Sequence, residues 1–358
     1  MILLQLRKNM PNDIKLGFIG GGPRANSLWQ TICSIPDFED SVLPYAMLDK
    51  DPETAKNWAF RVDKTFTDLD GLLKSEVDAV IIGTPPHTHA PIATKCLKAG
   101  ISVWSEVPMG LTMEEIWTII DADKGNKGTR GHYFFGENYC YNLTPQFMAK
   151  QHFEGKIGDI YYSEGEYSHS VEHYMIEENF IHRKEIDPEI TEKVTPTWRA
   201  DFTPIKYGHA FGPCLYVLNK NKQNIIERPA EVSGMGNMKM QKRFNTDNFQ
   251  IATVKTDQDT IIKFVTAFVL GSHGRVFYSF WGSRGLFVGG NYQSDGKHYY
   301  YEVPPEKAAY PFRHQEQPQI VSDEDLKTRG TPSAAGGHGG ADTLMFHSWL
   351  NSDRKSVV

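Results

Sequence analysis

Gly20-x-Gly22-x-x-Ala25 is a spacing that can hold a pyrophosphate. It follows the apolar run Leu16 to Ile19, which reads as a buried strand. A helical stretch from about Ala25 to Cys33 comes next. In that setting Gly20 permits the tight turn, Gly22 lets the backbone approach phosphate oxygens, and Ala25 lets helix and strand pack closely. The helix N-terminus adds free amides and a partial positive charge. Pro23 and Arg24 stand in the same turn and are counted with it. An ordinary strand–helix turn is the bland alternative, but the strand before it and the helix after it favour a dinucleotide.

Asp49 ends the next strand, Pro44 to Leu48. A carboxylate there accepts hydrogen bonds from ribose hydroxyls and repels a 2′-phosphate, which favours NAD over NADP. Lys50 beside it keeps NADP open. His209 is the side chain best suited to proton transfer near pH 7. It precedes the apolar, helix-like run Phe211 to Leu218, in a Gly212-Pro213 context. Taken alone, a histidine there reads first as a helix cap or a core residue.

These residues need elements to position them. Through about residue 135, strand and helix alternate. Asp51-Pro52-Glu53 starts a helix with an N-cap and a first-turn proline. Phe66-Thr67-Asp68-Leu69 opens a short helix, Asp78 to Ile82 is a buried strand, and a helix from about His89 to Ala99 stops at Gly100. Ile101 to Ser105 is a strand, Thr112-x-x-Glu115 is a capping box, and His132 to Phe135 is a further strand. Repeated strand–helix units demand a doubly wound parallel sheet.

The pattern then changes. Lys156 to Glu166 reads as a strand, residues 169–205 are polar and irregular, and residues 248–288 read as long alternating strands. The expected architecture is α/β: an NAD-binding Rossmann domain over 1–138 and an α+β domain over 139–358 with a large open, mostly antiparallel sheet. The open sheet of the second domain is expected to be covered in a homo-oligomer, a homodimer or homotetramer.

Composition sets the remaining bounds. The 358 residues are 40% apolar and 23% charged, ordinary for a globular chain of two domains. A net charge of −6 gives no general basic footprint, so nucleic acid is not expected. The four cysteines, Cys33, Cys96, Cys140 and Cys214, form no C-x-x-C pair, which suits thiols in a reducing cytoplasm. No run approaches the ~20 apolar residues of a membrane span, and Met1 to Leu6 is too short for a signal segment. His169 and His173 have i, i+4 spacing but no helical periodicity and no third ligand, so no metal is expected.

Three motifs together carry a resemblance: the glycine turn, Gly83-Thr84-Pro85-Pro86-His87-Thr88-His89, and Ser105-Glu106-Val107-Pro108. The chain resembles the Gfo/Idh/MocA dinucleotide-dependent oxidoreductases. The resemblance implies that Thr84 and Pro85 pass under the nicotinamide ribose, with His89, Glu106 and Val107 beside the cofactor. The usual Glu-Lys-Pro motif here reads Glu-Val-Pro, and a valine cannot transfer a proton. A Glu-Val-Pro subgroup that includes NAD-dependent glycoside hydrolases is similar further on. The shared stretches are Gly136-Glu137-Asn138-Tyr139-Cys140-Tyr141, His209-x-x-Gly212-Pro213 and Gly337-His338-Gly339-Gly340-x-Asp342. Those enzymes oxidise C3 of a sugar, eliminate the aglycone, add water and reduce again. Members of the family usually continue with more C-terminal structure than follows Asp342 here.

The resemblance implies a catalytic set of Glu137, His209 and a tyrosine close to Tyr207, where Lys206 occupies the aligned position. His209 becomes the expected base. Asn138, at the carboxyl edge of the predicted sheet, is expected at the nicotinamide or the substrate. Tyr167 and His169, then Trp198 and Arg199, fit sugar stacking and hydroxyl recognition, with packing as the alternative. His338 and Asp342 are added from the glycine-rich match; Tyr139 and Tyr141 read as packing aromatics. The expected activity is NAD-dependent hydride transfer from a sugar or polyol hydroxyl. The alternatives are a redox-neutral glycosidase or lyase and, because of Val107, an inactive NAD-binding regulatory protein.

Overall fold

The computed structural model describes residues 14–35, 42–125, 131–169, 204–237, 247, 249–268, 274–289, 297–302, 319–329 and 340–357. The chain divides into two compact units. One comprises Met1–Asn138 with Ala334–Val358, and the other is Tyr139–Ser333. The second stretch was expected to run to residue 358; instead, the C-terminal helix belongs with the first unit.

The first unit holds β1 (Ile14–Ile19), α1 (Pro23–Cys33), β2 (Val42–Leu48), α2 (Pro52–Asn57), β3 (Lys64–Phe66) and α3 (Leu69–Leu73). β4 (Ala79–Ile82), α4 (His89–Lys98), β5 (Ser102–Ser105), α5 (Met113–Gly125) and β6 (Tyr133–Phe135) complete the sheet. All six strands are parallel, in the order β3-β2-β1-β4-β5-β6. This is the doubly wound order, with its switch point between β1 and β4. β4 is Ala-Val-Ile-Ile and buried throughout, as a strand covered on both faces must be. The expected caps form: the Asp51 carboxylate accepts from the amides of Glu53 and Thr54, and Thr112 and Glu115 bond reciprocally.

The second unit begins with α6 (Leu143–Phe153), which no sequence pattern had singled out. β7 (Ile160–Ser168), α7 (Gly212–Leu218), β8 (Pro229–Asn237), β9 (Phe249–Thr256) and β10 (Ile261–Ala267) follow. Then come β11 (Arg275–Gly282), β12 (Gly285–Gly289), β13 (Lys297–Glu302), β14 (Gln319–Ser322) and α8 (Asp323–Arg329). The eight strands run β14-β13-β12-β11-β7-β10-β9-β8, antiparallel except for the β7–β10 pair. One face packs against α6, α7 and α8 through Phe147, Met148, Cys214, Leu218, Phe264, Phe280, Phe287 and Leu326, all buried. Burying one such large side chain stabilises by roughly 1.5–3 kcal/mol.

α9 (Ala341–Val357) returns to the first unit. Ala341, Met345, Phe346 and Trp349 are buried, and the Phe346 ring lies 5.2 Å from Trp104 of β5.

Candidate functional site

The turn after β1 is built as an anion cradle. Gly20 has φ +92°, a left-handed conformation that side chains rarely adopt. A Cβ at Gly22 would meet nothing within 4 Å, so space lies open at the start of α1. No side chain caps that helix, which leaves its first amides to a ligand. Asp49 stands at the end of β2, where Oδ2 accepts from the Gly21 amide at 2.8 Å and Oδ1 from the Asp51 amide at 2.9 Å. Each carboxylate oxygen keeps a further lone pair for a hydroxyl. These features fit a dinucleotide: Gly22 and the first turn of α1 would hold the pyrophosphate, and Asp49 the ribose.

The two loops predicted to flank the nicotinamide are tied together by His89. Its ring is buried, with Nδ1 2.9 Å from the Pro108 carbonyl and Nε2 2.8 Å from the Thr84 carbonyl. His89 therefore positions Thr84-Pro85 against the Val107-Pro108 loop, because both ring nitrogens are taken up by backbone. Val107 is buried.

Arg24, expected at the cofactor, is held by two carboxylates. Nε donates to Glu106 Oε1 at 2.6 Å, Nη1 to Asp342 Oδ2 at 3.0 Å, and Nη2 to Asp342 Oδ1 at 3.3 Å. Burial opposes the guanidinium's charge, but Glu106 and Asp342 outweigh it and raise its pKa further. Asn138 Nδ2 also donates to Asp342 Oδ1, at 3.0 Å. Asp342 was expected at the substrate; it is 0% exposed and is the common acceptor of this network. Glu137, next to Asn138, is buried too.

In the second unit His209 sits among tyrosine rings. Its ring centroid lies 4.3 Å from Tyr139, 4.7 Å from Tyr167 and 5.8 Å from Tyr207. The His209 backbone is fixed as well: its carbonyl accepts from the Tyr278 hydroxyl at 2.7 Å. The next residue, Ala210, presses on β7 so closely that a Cβ at Gly165 would lie 1.9 Å from the Ala210 carbonyl oxygen. Lys206 is exposed, whereas Tyr207 is half-buried and stacks edge-on against Phe268 at 4.9 Å. The His169 ring lies 5.8 Å from Tyr167. Tyr139 and Tyr278 were missed as parts of this cluster. Tyr139 carries the signal of following Glu137-Asn138, but Tyr278 has no local signal, since only the β11–β7 pairing brings it to His209. Trp198, Arg199 and His338 lie outside the described residues, as does His173. Among the described residues no three His, Cys, Asp or Glu side chains gather to hold a metal.

Residues 14–131 match the family model described as "Oxidoreductase family, NAD-binding Rossmann fold", named for GFO, IDH and MocA. This stretch is similar to the NAD-binding domain of Gfo/Idh/MocA oxidoreductases. A "Glycosyl hydrolase family 109 protein" of Shewanella baltica is 28% identical over 222 residues, 58% of this chain and 45% of that protein. Its counterpart in Shewanella amazonensis is 29% identical over 159 residues, 43% of this chain and 31% of that protein. The match thus spans less than half the length of these relatives. Among solved structures, a levoglucosan dehydrogenase in complex with NADH aligns with TM-score 0.72 at 18% identity, over 96% of this chain and 91% of that one. Myo-inositol 2-dehydrogenase from Lactobacillus plantarum aligns with TM-score 0.64 at 16% identity, over 97% and 90%. At such identities the likeness is one of fold, and it runs through both units.

Proposed function

We propose that the chain is an NAD-dependent oxidoreductase acting on a hydroxyl of a sugar or polyol, with His209 as the base. The observation that carries this reading is the placement of His209: a buried imidazole, ringed by Tyr139, Tyr167 and Tyr207, on a backbone clamped by Tyr278. NAD, when bound, would supply the hydride acceptor. His209 would take the proton of the hydroxyl whose carbon is oxidised. Apolar ring faces suit the hydrophobic side of a sugar, and tyrosine hydroxyls suit its polar rim. Tyr207 and Glu137 assist in this reading, and Lys206 plays the smaller part because of its exposure. Incubation with a panel of sugars and polyols, following NADH absorbance, tests it; no turnover of any member would refute it.

The redox-neutral glycosidase is kept as a second reading, supported by Val107 at the usual lysine position and by the relatives named glycosyl hydrolases. Release of an aglycone from an aryl glycoside without NADH accumulation would decide for it.

The outer face of the eight-stranded sheet supports self-association. By register Met235, Ile261, Trp281, Tyr299 and Ile320 point to that one side, 39–75% exposed. Apolar rows of this kind are ordinarily covered by a partner, here a second copy. A monomer in light scattering at micromolar concentration would refute it. A reducing, cytoplasmic setting is inferred from the buried thiols Cys96 and Cys214, which burial pushes up to about 12. No helix among the described residues is long and apolar enough to cross a membrane.

A further inference from the structure

We propose that Asp342, on the C-terminal helix, is a positioning residue of the cofactor site. Through Arg24 it holds Glu106, and with it the Glu106-Val107-Pro108 loop, where the nicotinamide half of the cofactor needs it. This rests on reading the first unit as the NAD site.

Three segments at the carboxyl edge of the parallel sheet converge on one carboxylate. Arg24 is the second residue of α1, directly after the Gly22-Pro23 turn. Glu106 follows β5, and Asn138 follows β6. Arg24 forks between Glu106 and Asp342, and Asn138 reaches Asp342 from the other side. A planar guanidinium can join two carboxylates at fixed angles, which a lysine cannot. Its three engaged nitrogens make Arg24 a connector between loops.

Asp342 itself is fully removed from water. A buried carboxylate is costly unless it is paired and hydrogen-bonded. Here Arg24 and Asn138 supply the charge and the donors. A helix needed only to cover apolar surface would be served by Ala341, Met345, Phe346 and Trp349 alone. The loop's other end is already secured, because His89 meets the Pro108 carbonyl. Asp342 secures the Glu106 end. The carboxylate therefore makes the last helix part of the cofactor unit, although it lies over 300 residues from the glycine turn.

Binding of NADH and of ADP-ribose, the same cofactor lacking nicotinamide, tests this by calorimetry on the full chain. Asp342→Asn should weaken NADH by about tenfold or more and leave ADP-ribose within about twofold. Arg24→Lys, which keeps the charge but cannot fork, should show the same selective loss. It carries the test alone if Asp342→Asn does not fold. Equal losses for both ligands would make Asp342 a general prop and overturn the proposal, as would no loss for either. Wild type binding neither ligand would instead sink the NAD reading, and the proposal with it.

Discussion

The Tyr139 ring lies 4.3 Å from the His209 ring at a tilt of 32°. That spacing sets one face of the imidazole against an aromatic surface and limits the directions from which a hydroxyl can reach its nitrogens. The first prediction concerns this pair. His209→Ala should lower turnover by roughly two to four orders of magnitude, the usual range for losing a general base. NAD affinity should hold, since the cradle is built from other residues. Steady-state rates alongside NADH titration check both halves; a fall in affinity with intact turnover would exclude the base role.

Gly165 should tolerate no side chain. Any Cβ there would overlap the Ala210 carbonyl oxygen, and the neighbour is backbone, which cannot rotate aside. Gly165→Ala is expected to destabilise by roughly 1–3 kcal/mol, as overpacking does, and to displace His209. Thermal unfolding measures the first effect and activity at permissive temperature the second.

Gly22 behaves differently, because its Cβ position is empty and its backbone is extended, with φ −71° and ψ −176°. Gly22→Val should therefore fold with a stability change within about 0.5 kcal/mol. NAD binding should nevertheless be abolished, because the new methyls occupy phosphate space. Unchanged calorimetric affinity would sink the fingerprint reading.

Asp49→Ala removes the acceptor for the Gly21 and Asp51 amides and the ribose contact together. NAD should weaken more than NADP, since the carboxylate also repels a 2′-phosphate. The ratio of the two dissociation constants is the readout, and a ratio equal to wild type's would exclude the ribose role.

Glu164 supplies a pH signature. Burial works to raise its pKa, but hydrogen bonds from Tyr162 and Lys263 outweigh burial and hold it below the ordinary carboxylate value. A depressed folded-state pKa means stability present above the unfolded pKa and lost as pH falls through the folded one. Glu164→Gln should therefore be less stable than wild type at neutral pH, and the gap in Tm should close below the carboxylate range. A gap constant with pH would show that the carboxylate's charge adds nothing.

The sequence by itself determined the doubly wound first unit. Strand apolarity, glycine placement and caps such as Asp51 and Thr112–Glu115 are local, so each element declares itself within a few residues. It also singled out Asp49 and His209 by chemical type. Only the tertiary structure decided what depends on distant pairing. The parallel β7–β10 contact brings together strands separated by two others in the chain. The C-terminal helix turned out to belong with residues 1–138, because Phe346 meets Trp104 and Asp342 meets Arg24, pairs more than 240 residues apart. Tyr278 reaches His209 only because β11 lies beside β7. No local pattern encodes such contacts: they are set by which buried surfaces and buried charges must find each other once the elements have formed.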